Sequence, residues 1–240
     1  MIYDSIPVLG MPVLDDEVYA SQLVESLDFP VKEVFVIVNN PHREKEVISA
    51  IEDAAKKNSN VGKATFCLPK CNLGVAASWN LIIKARCLSP FWFICNADIR
   101  FASGDLIALV NEINETGLGS PCIFSLFAFG AFAINRQCVK HVGWFDEDFH
   151  PAYSEDVDYQ IRMNYFGHLF KIIPSNTMHH GSKSQGSPRR PDGLVNMDYL
   201  KSKWSGNVDN ATECSPAMMY SLHPCGPSIE RLITNQRTVR

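Results

Sequence analysis

The chain contains Phe91-Trp92-Phe93-Ile94-Cys95-Asn96-Ala97-Asp98, an apolar run that ends abruptly in polar side chains. A short, wholly apolar run is typical of a parallel strand that is buried on both faces of a sheet. Asn96 and Asp98 are two positions apart, so both side chains can point to the same side. An Asp at such a strand end can hold a divalent cation that also binds phosphates. The same residue types are also common in ordinary turns, so this run alone leaves both interpretations open.

Strand and helix patterns alternate on both sides of this run. Strands are predicted at 6–13, 33–38, 63–68 and 90–95, and helices at 16–27, 44–57, 74–85 and 105–115. The alternation predicts an α/β fold with a mostly parallel sheet. After that the pattern is mixed, with strands predicted at 122–129, 130–134 and 170–174 and a helix at 136–142. Periodicity fades from about residue 206, so we predict one domain at 1–206 and an irregular tail at 207–240.

Composition and charge exclude several classes of protein. A chain of 240 residues with 46% hydrophobic residues can bury a full core. The net charge of −4 argues against a general binder of nucleic acid or of membrane surfaces. The sequence has no apolar run of about 18 residues and no secretory leader, so we predict neither a transmembrane helix nor export. The eight cysteines form no CxxC pair, and we read them as reduced thiols of a cytoplasmic protein.

In open α/β sheets, ligands bind beyond the carboxyl ends of the strands. One such end carries Asn39-Asn40, and another leads into Asn72-Leu73-Gly74-Val75-Ala76-Ala77-Ser78-Trp79-Asn80. The small side chains of this second segment would let a diphosphate approach the backbone amides at a helix start. A tight helix–sheet contact would need the same small residues. Neither a Walker loop nor a GxGxxG motif is present, so a dinucleotide-binding site has little support.

A third segment is rich in acids. Gly143-Trp144-Phe145-Asp146-Glu147-Asp148-Phe149 precedes Ser154-Glu155-Asp156, where Ser154 is a plausible N-cap. Carboxylates at the positive end of a helix are expected to stay ionised and to point outward, which suits a base that faces a polar ligand. A well-capped helix without any function would show the same residues.

Taken in order, these segments resemble the GT-A glycosyltransferases of the family 2 type, a group of inverting nucleotide-sugar transferases. Asn72–Asn80 is similar to the N-x-G-x-small-small-x-x-N segment of that family, and Asn96-Ala97-Asp98 falls at its DxD motif. Gly143–Glu147 and Glu155–Asp158 resemble its G-x-F-D-E and E-D-x-D pair. The stretch from His179 to Ser184 resembles its His-containing loop, and Tyr199–Trp204 resembles a Tyr-x-x-x-Lys-Trp segment. The resemblance spans residues 6 to about 206.

The resemblance implies a GT-A fold, with a Rossmann-like, mostly parallel central sheet flanked by helices. It implies a divalent cation, Mn²⁺ or Mg²⁺, held by Asp98, His179 and His180. It also implies a UDP-, dTDP- or GDP-linked sugar as donor. The residues implied in donor binding are Asn39, Asn40, Asn72, Gly74, Asn80, Asn96, Ala97 and Asp98.

On the acceptor side, the resemblance implies that Asp156 is the general base of an inverting transfer to a glycan or other hydroxyl. Glu155 would bind the acceptor hydroxyl, with Trp144 and Asp146 beside it. Trp144 is about equally well read as a core aromatic side chain.

The chain also departs from the family pattern. Asn96 stands where the family has the first Asp of DxD, which keeps open a non-catalytic module that binds nucleotide sugars or glycans. A sugar-phosphate nucleotidylyltransferase would need a glycine-rich loop with a basic residue after the first strand, and residues 6–12 lack one.

Overall fold

In the computed structural model, which describes residues 2–180 and 191–217, strands and helices alternate through the first half of the chain. The strands are β1 (Leu9–Val13), β2 (Val34–Val38), β3 (Ala64–Cys67), β4 (Phe91–Cys95), β5 (Ile99–Arg100), β6 (Cys122–Phe127), β7 (Ala131–Asn135), β8 (Leu169–Ile172), β9 (Met178–His179), β10 (Trp204–Ser205) and β11 (Ser215–Pro216). The helices are α1 (Glu17–Glu25), α2 (Glu44–Lys57), α3 (Val75–Ala85), α4 (Asp105–Thr116), α5 (Arg136–His141), α6 (Glu155–Tyr165) and α7 (Pro191–Lys203).

Seven of these strands form the central sheet, in the order β3-β2-β1-β4-β7-β6-β8. β3, β2, β1 and β4 pair in parallel, and so do β6 and β8. β7 runs antiparallel to both of its neighbours, β4 and β6. The prediction of a mostly parallel α/β sheet flanked by helices is therefore confirmed.

Both faces of the sheet are covered, and β2 shows why its sequence is wholly apolar. Val34, Val36 and Val38 point into a core shared with α1, α2 and α4. Phe35 and Ile37 point into a second core, shared with α3, α5 and α6. Because successive residues of a strand face opposite sides, a strand between two helix layers needs apolar residues at every position.

Some elements differ from the prediction. β1 begins at Leu9, and Ile6 makes only an isolated bridge to Val31. The predicted strands 122–129 and 130–134 are separated by a turn in which Ala128 has a φ of 39°. The sequence did not reveal α7, because its buried positions include the polar Asn196 and Lys203 and so lack an apolar period.

A small third core joins α6, α7 and the segment after α7. Val208 is buried there with Leu200 and Trp204, and β10 pairs with β11 in antiparallel fashion. Residues 207–217 of the predicted tail therefore pack against the domain in the structure. The boundary at residue 206 stays a prediction.

No helix among residues 2–180 and 191–217 is long and apolar enough to cross a membrane.

Candidate active site

The carboxyl ends of β1, β2 and β4 meet at one edge of the sheet, and Asp98 lies just beyond this edge. Its side chain is buried, and its carboxylate Oδ1 is 3.1 Å from Nε2 of His179. The contact arises because β5 and β9 pair with Ile99 opposite His179. The structure thus brings together two side chains that the sequence places 81 positions apart (179 − 98).

The two histidines have different surroundings. The His179 ring stacks on Phe127 at 5.2 Å, with its Nε2 turned to Asp98. The His180 ring packs on Tyr19 at 4.8 Å, and its backbone amide donates to the Asp98 carbonyl. The His180 Nε2 is buried, with no hydrogen-bond partner in the described part of the chain.

Asp98 and His179 together fit a divalent cation. Carboxylate oxygen and imidazole nitrogen are both common ligands of first-row divalent ions. Within residues 2–180 and 191–217, no cluster of three or more His, Cys, Asp or Glu side chains is arranged to hold a metal. A cation held by this pair would take further ligands from elsewhere, and phosphate oxygens of a nucleotide suit that role.

Both asparagines that follow β2 make hydrogen bonds to other protein side chains. Asn39 is buried, donates to the Ser78 hydroxyl at 2.8 Å and accepts from the Leu73 amide. Asn40 is partly buried and donates to Asp15 at 2.6 Å. Asn39 therefore ties β2 to α3, whereas Asn40 lies nearer the surface. Beyond β4, Asn96 is partly buried and Ala97 is buried.

The segment Asn72–Asn80 does not present an open row of backbone amides. The Gly74 amide donates to Asn72 Oδ1 at 2.9 Å, and the Val75 amide donates to the Pro151 carbonyl at 2.8 Å. Gly74 has a φ of +77°, and a Cβ there would lie 2.8 Å from the Pro151 oxygen. The small residues thus allow the loop before α6 to approach the start of α3, and the Gly74 and Val75 amides have protein partners.

Asn80 also makes hydrogen bonds within the protein, and they fix the acid-rich segment 143–149, the acidic loop. Its side chain is buried, accepts from the Phe145 amide at 3.0 Å, and donates to the Phe145 carbonyl and to Glu147, each at 2.8 Å. The amide oxygen and nitrogen of Asn80 thus both serve residues of this loop. These contacts favour a positioning role over direct donor contact.

The start of α6 differs from the capped helix start with ionised acids that the sequence predicted. Tyr153 and Ser154 have left-handed φ values of 78° and 74°, and the Ser154 side chain makes no capping hydrogen bond. Glu155 is buried, and its Oε2 has no hydrogen-bond partner within the described residues. Burial, followed by the charge of Asp156, raises the pKa of Glu155 well above its usual range. Burial also raises the pKa of Asp156. The expectation that both carboxyl groups ionise readily was wrong, because burial raises both pKa values. The expected outward orientation was wrong for Glu155, which is buried, whereas Asp156 is only partly buried.

Trp144 and Asp146 have protein partners. Trp144 is buried, with the Lys84 ammonium 5.1 Å from its ring centroid. Asp146 forms an ion pair with Lys203 at 2.5 Å and accepts from the Tyr199 hydroxyl. Although burial acts to raise the pKa of Asp146, the bond to Lys203 lowers it. These contacts favour structural roles for Trp144 and Asp146, so the proposed acceptor site does not include them.

A buried charge network lies behind these acids, and the i, i+4 spacing of Asp158 and Arg162 predicts one of its ion pairs. Lys203 also contacts Asp158 at 2.8 Å. Asp158 pairs with Arg162 at 2.9 Å and accepts from the Trp204 indole. The Lys-Trp pair at the end of α7 was the second sequence signal for this network, but it did not predict the contacts of Lys203 with Asp146 and Asp158. The remainder of the His-containing segment, residues 181–190, lies outside the described residues.

No protein-family model matches the chain. Over 83 residues it is 28% identical to a chondroitin synthase of Pasteurella multocida (strain Pm70), a match covering 33% of this chain and 9% of that protein. The chain therefore spans only a small part of the length of this relative.

Solved structures give a broader likeness. GalNAc-T7 with UDP, GalNAc and Mn²⁺ superposes with a TM-score of 0.64 at 14% identity, covering 86% of this chain and 49% of that chain. S. aureus TarS 1–349 with UDP-GlcNAc gives 0.55 at 13% identity, covering 81% and 65%. At such identities the likeness establishes the fold: the chain has the GT-A fold of these glycosyltransferases, as the resemblance implied.

Proposed function

We propose that this protein is an inverting glycosyltransferase that moves a sugar from a nucleotide-sugar donor to an acceptor hydroxyl. One observation carries the proposal. On a GT-A fold, the Asp98–His179 pair lies beyond β4, and two carboxyl groups with raised pKa values stand at the start of α6. The ligands of the similar structures, UDP with GalNAc and UDP-GlcNAc, support a UDP-linked donor.

Asp98 and His179 would hold Mn²⁺ or Mg²⁺, and the Mn²⁺ of the GalNAc-T7 structure supports this assignment. A bound cation supplies charge stabilisation for the diphosphate leaving group. We keep Asn40, Asn96 and Ala97 as donor contacts beside Asp98. Asn39, Asn72, Gly74 and Asn80 act through their internal hydrogen bonds, which fix the loops around this edge.

Asp156 is the proposed general base. Its carboxylate accepts the proton of the acceptor hydroxyl while that oxygen attacks the anomeric carbon of the donor sugar. The bond between that carbon and the diphosphate oxygen breaks, and the nucleoside diphosphate leaves with the electron pair. A raised pKa makes the ionised carboxylate a stronger proton acceptor. Burial raises the pKa of Glu155 well above its usual range, and the protonated form that burial favours can donate a hydrogen bond to the acceptor.

The test is a screen of UDP-, dTDP- and GDP-sugars for release of the nucleoside diphosphate, with Mn²⁺, with Mg²⁺ and with excess chelator. We expect cation-dependent release from at least one UDP-sugar. The replacement of the first motif acid by Asn96 favours one other candidate, a module that binds the donor without turnover. Donor binding by calorimetry without any release or transfer would support that candidate and contradict an enzyme.

For the base, we predict that Asp156→Asn lowers transfer by about 10²-fold or more, because the amide cannot accept the proton. UDP binding should survive, since the diphosphate is held at the other end of the site. Asp53→Asn, on the exposed face of α2, is the matched control and should keep full activity. NMR of the product should show the anomeric configuration opposite to that of the donor. Near wild-type transfer by Asp156→Asn, or a retained configuration, would contradict the assignment.

For the cation, we predict that His179→Ala and His180→Ala differ. The His179 ring contacts the Asp98 carboxylate, whereas the His180 ring packs on Tyr19, so the loss of His179 should weaken Mn²⁺-dependent UDP binding by about tenfold or more. His180→Ala removes the same ring from the Tyr19 stack and serves as the matched control, with a smaller effect. Isothermal titration of UDP with and without Mn²⁺ measures both. Equal effects, or binding that ignores Mn²⁺, would count against an Asp98–His179 cation site.

A further inference from the structure

A cavity of about 320 Å³ lies between α6, α7 and the segment 208–212, and the proposed chemistry does not use it. Val157, Met197 and Val208 contribute its apolar surface. A volume of this order lies within the range of small-molecule sites. The cavity is therefore large enough to hold an organic ligand.

The polar groups of the cavity are mostly neutral. Gln160 and Asn164 contribute side-chain amides, and both residues are partly exposed. In the described part of the chain, neither amide makes a hydrogen bond to protein. Each therefore keeps donors and an acceptor for a ligand. Thr212 adds a hydroxyl, which is bonded to Asn210.

The charges of the residues that line the cavity limit the chemical class of ligand that can bind there. Asp209 is the only ionisable group among the described residues that line the cavity, and none of them is Lys, Arg or His. Phosphate groups are usually held by cationic side chains, so a second nucleotide or a phosphorylated ligand does not fit. Neutral amides beside apolar side chains fit a sugar ring, which has hydroxyl groups along its edge and C–H groups on its faces.

The position of the cavity relates it to the proposed base. Asp156, Gln160 and Asn164 are spaced four residues apart on α6, so they follow one side of the helix. At 1.5 Å per residue, Gln160 and Asn164 lie about 6 Å and about 12 Å beyond Asp156 along the axis. An acceptor with its reacting hydroxyl at Asp156 would reach the cavity if it continued along α6.

We propose that this cavity is an acceptor subsite, which binds a sugar unit of a glycan one or more units away from the reacting one. The inference rests on the proposed transferase function and adds to it that the acceptor is an oligosaccharide.

The test uses the full chain with UDP and Mn²⁺ on a microarray of mono- to hexasaccharides, compared with a Gln160→Ala/Asn164→Ala variant. We expect binding of glycans longer than a monosaccharide and a loss of about tenfold in the variant, the scale of two hydrogen bonds. Ala211→Trp, which would fill the cavity from the other wall, should give the same loss. Asn111→Ala, on the exposed face of α4, is the matched control and should change nothing. Melting temperatures verify that each variant is folded.

The outcomes separate the two proposals. Retention of glycans by the wild type and equally by both cavity variants would overturn the subsite, and so would an absence of glycan binding in protein that binds UDP. A protein that binds glycans through the cavity but neither binds nor turns over any nucleotide sugar would overturn the transferase function and leave the glycan site standing.

Discussion

At the residue scale, the burial of Glu155 has an electrostatic cost beside the proposed site. It is a buried carboxyl group next to a second acid, and its Oε2 has no partner among the described residues. The folded protein therefore favours the protonated form, whereas the unfolded chain releases the proton near the ordinary glutamate pKa of 4.5. A buried carboxyl group of this kind lowers the stability of the fold. Such groups are common where a carboxyl group takes part in function.

The pH dependence of this cost is a prediction. Because the folded pKa of Glu155 is raised, its contribution to stability falls as the pH rises from about 4.5 toward the folded value. Glu155→Gln holds no titrating proton, so its melting temperature should exceed that of the wild type by an amount that grows from pH 4.5 to pH 7. Calorimetry across this range measures the difference, with Glu46→Gln on the exposed face of α2 as control for the loss of one charge. A gain that is constant with pH would mean that burial does not raise this pKa.

Local sequence patterns predicted some residues of the site and missed the contacts of others. Asp98 was predicted because an apolar run ends at it, and that is a local signal. The partners of Asn80 were not predicted, because Phe145 lies 65 positions away and a hydrogen bond across that distance leaves no period in the sequence. The burial of Glu155 was missed for the same reason, since its desolvation comes from segments packed around α6.

At the element scale, the Lys203 ammonium connects the acidic loop to two helices. It contacts Asp146 in the loop and Asp158 on α6 from the last turn of α7. Asp158 is fully buried and also pairs with Arg162, so the charges within this network compensate one another. The network fixes how α6, with its two site acids, sits against the rest of the domain.

Removal of the Lys203 side chain should therefore lower the free energy of unfolding. Lys203→Met leaves Asp146 and Asp158 buried with less compensation, and the loss of one partner of a buried pair typically costs about 3–5 kcal/mol. At about 2–4 °C per kcal/mol for a domain of this size, the melting temperature should fall by roughly 6–20 °C. Lys201→Met, exposed on the same turn of α7, is the matched control. A fall no larger than that of the control would show that the network adds little stability.

At the scale of the whole molecule, alternating apolar runs predicted the sheet and its helices well. The central strands β1, β2 and β4 are buried, and their neighbours follow from the βαβ pattern. The segment after residue 206 was harder to predict, because the pairing of β10 with β11 spans two residues per strand and Val208 is the one buried residue of 207–217. Pairings this short leave almost no pattern in the sequence.

That segment gives a prediction about the domain boundary. A chain that ends at residue 206 loses β11 and the burial of Val208, whereas a chain that ends at 217 keeps both. The lost apolar burial alone corresponds to about 1.5–3 kcal/mol, so the shorter chain should melt roughly 3–12 °C lower. Thermal unfolding of the two chains side by side measures the difference. Equal melting temperatures would support a domain that ends at 206.

The reversed strand β7 has a consequence for synthesis on the ribosome. β4 is apolar at every position, and β7 covers the edge that β1 leaves open. Residues 96–130 must be made before β7 can emerge, and until then this edge offers unpaired backbone groups on a strand with no charged residue. Such edges recruit other chains, so nascent protein that stalls in this interval is prone to aggregate and calls on chaperones.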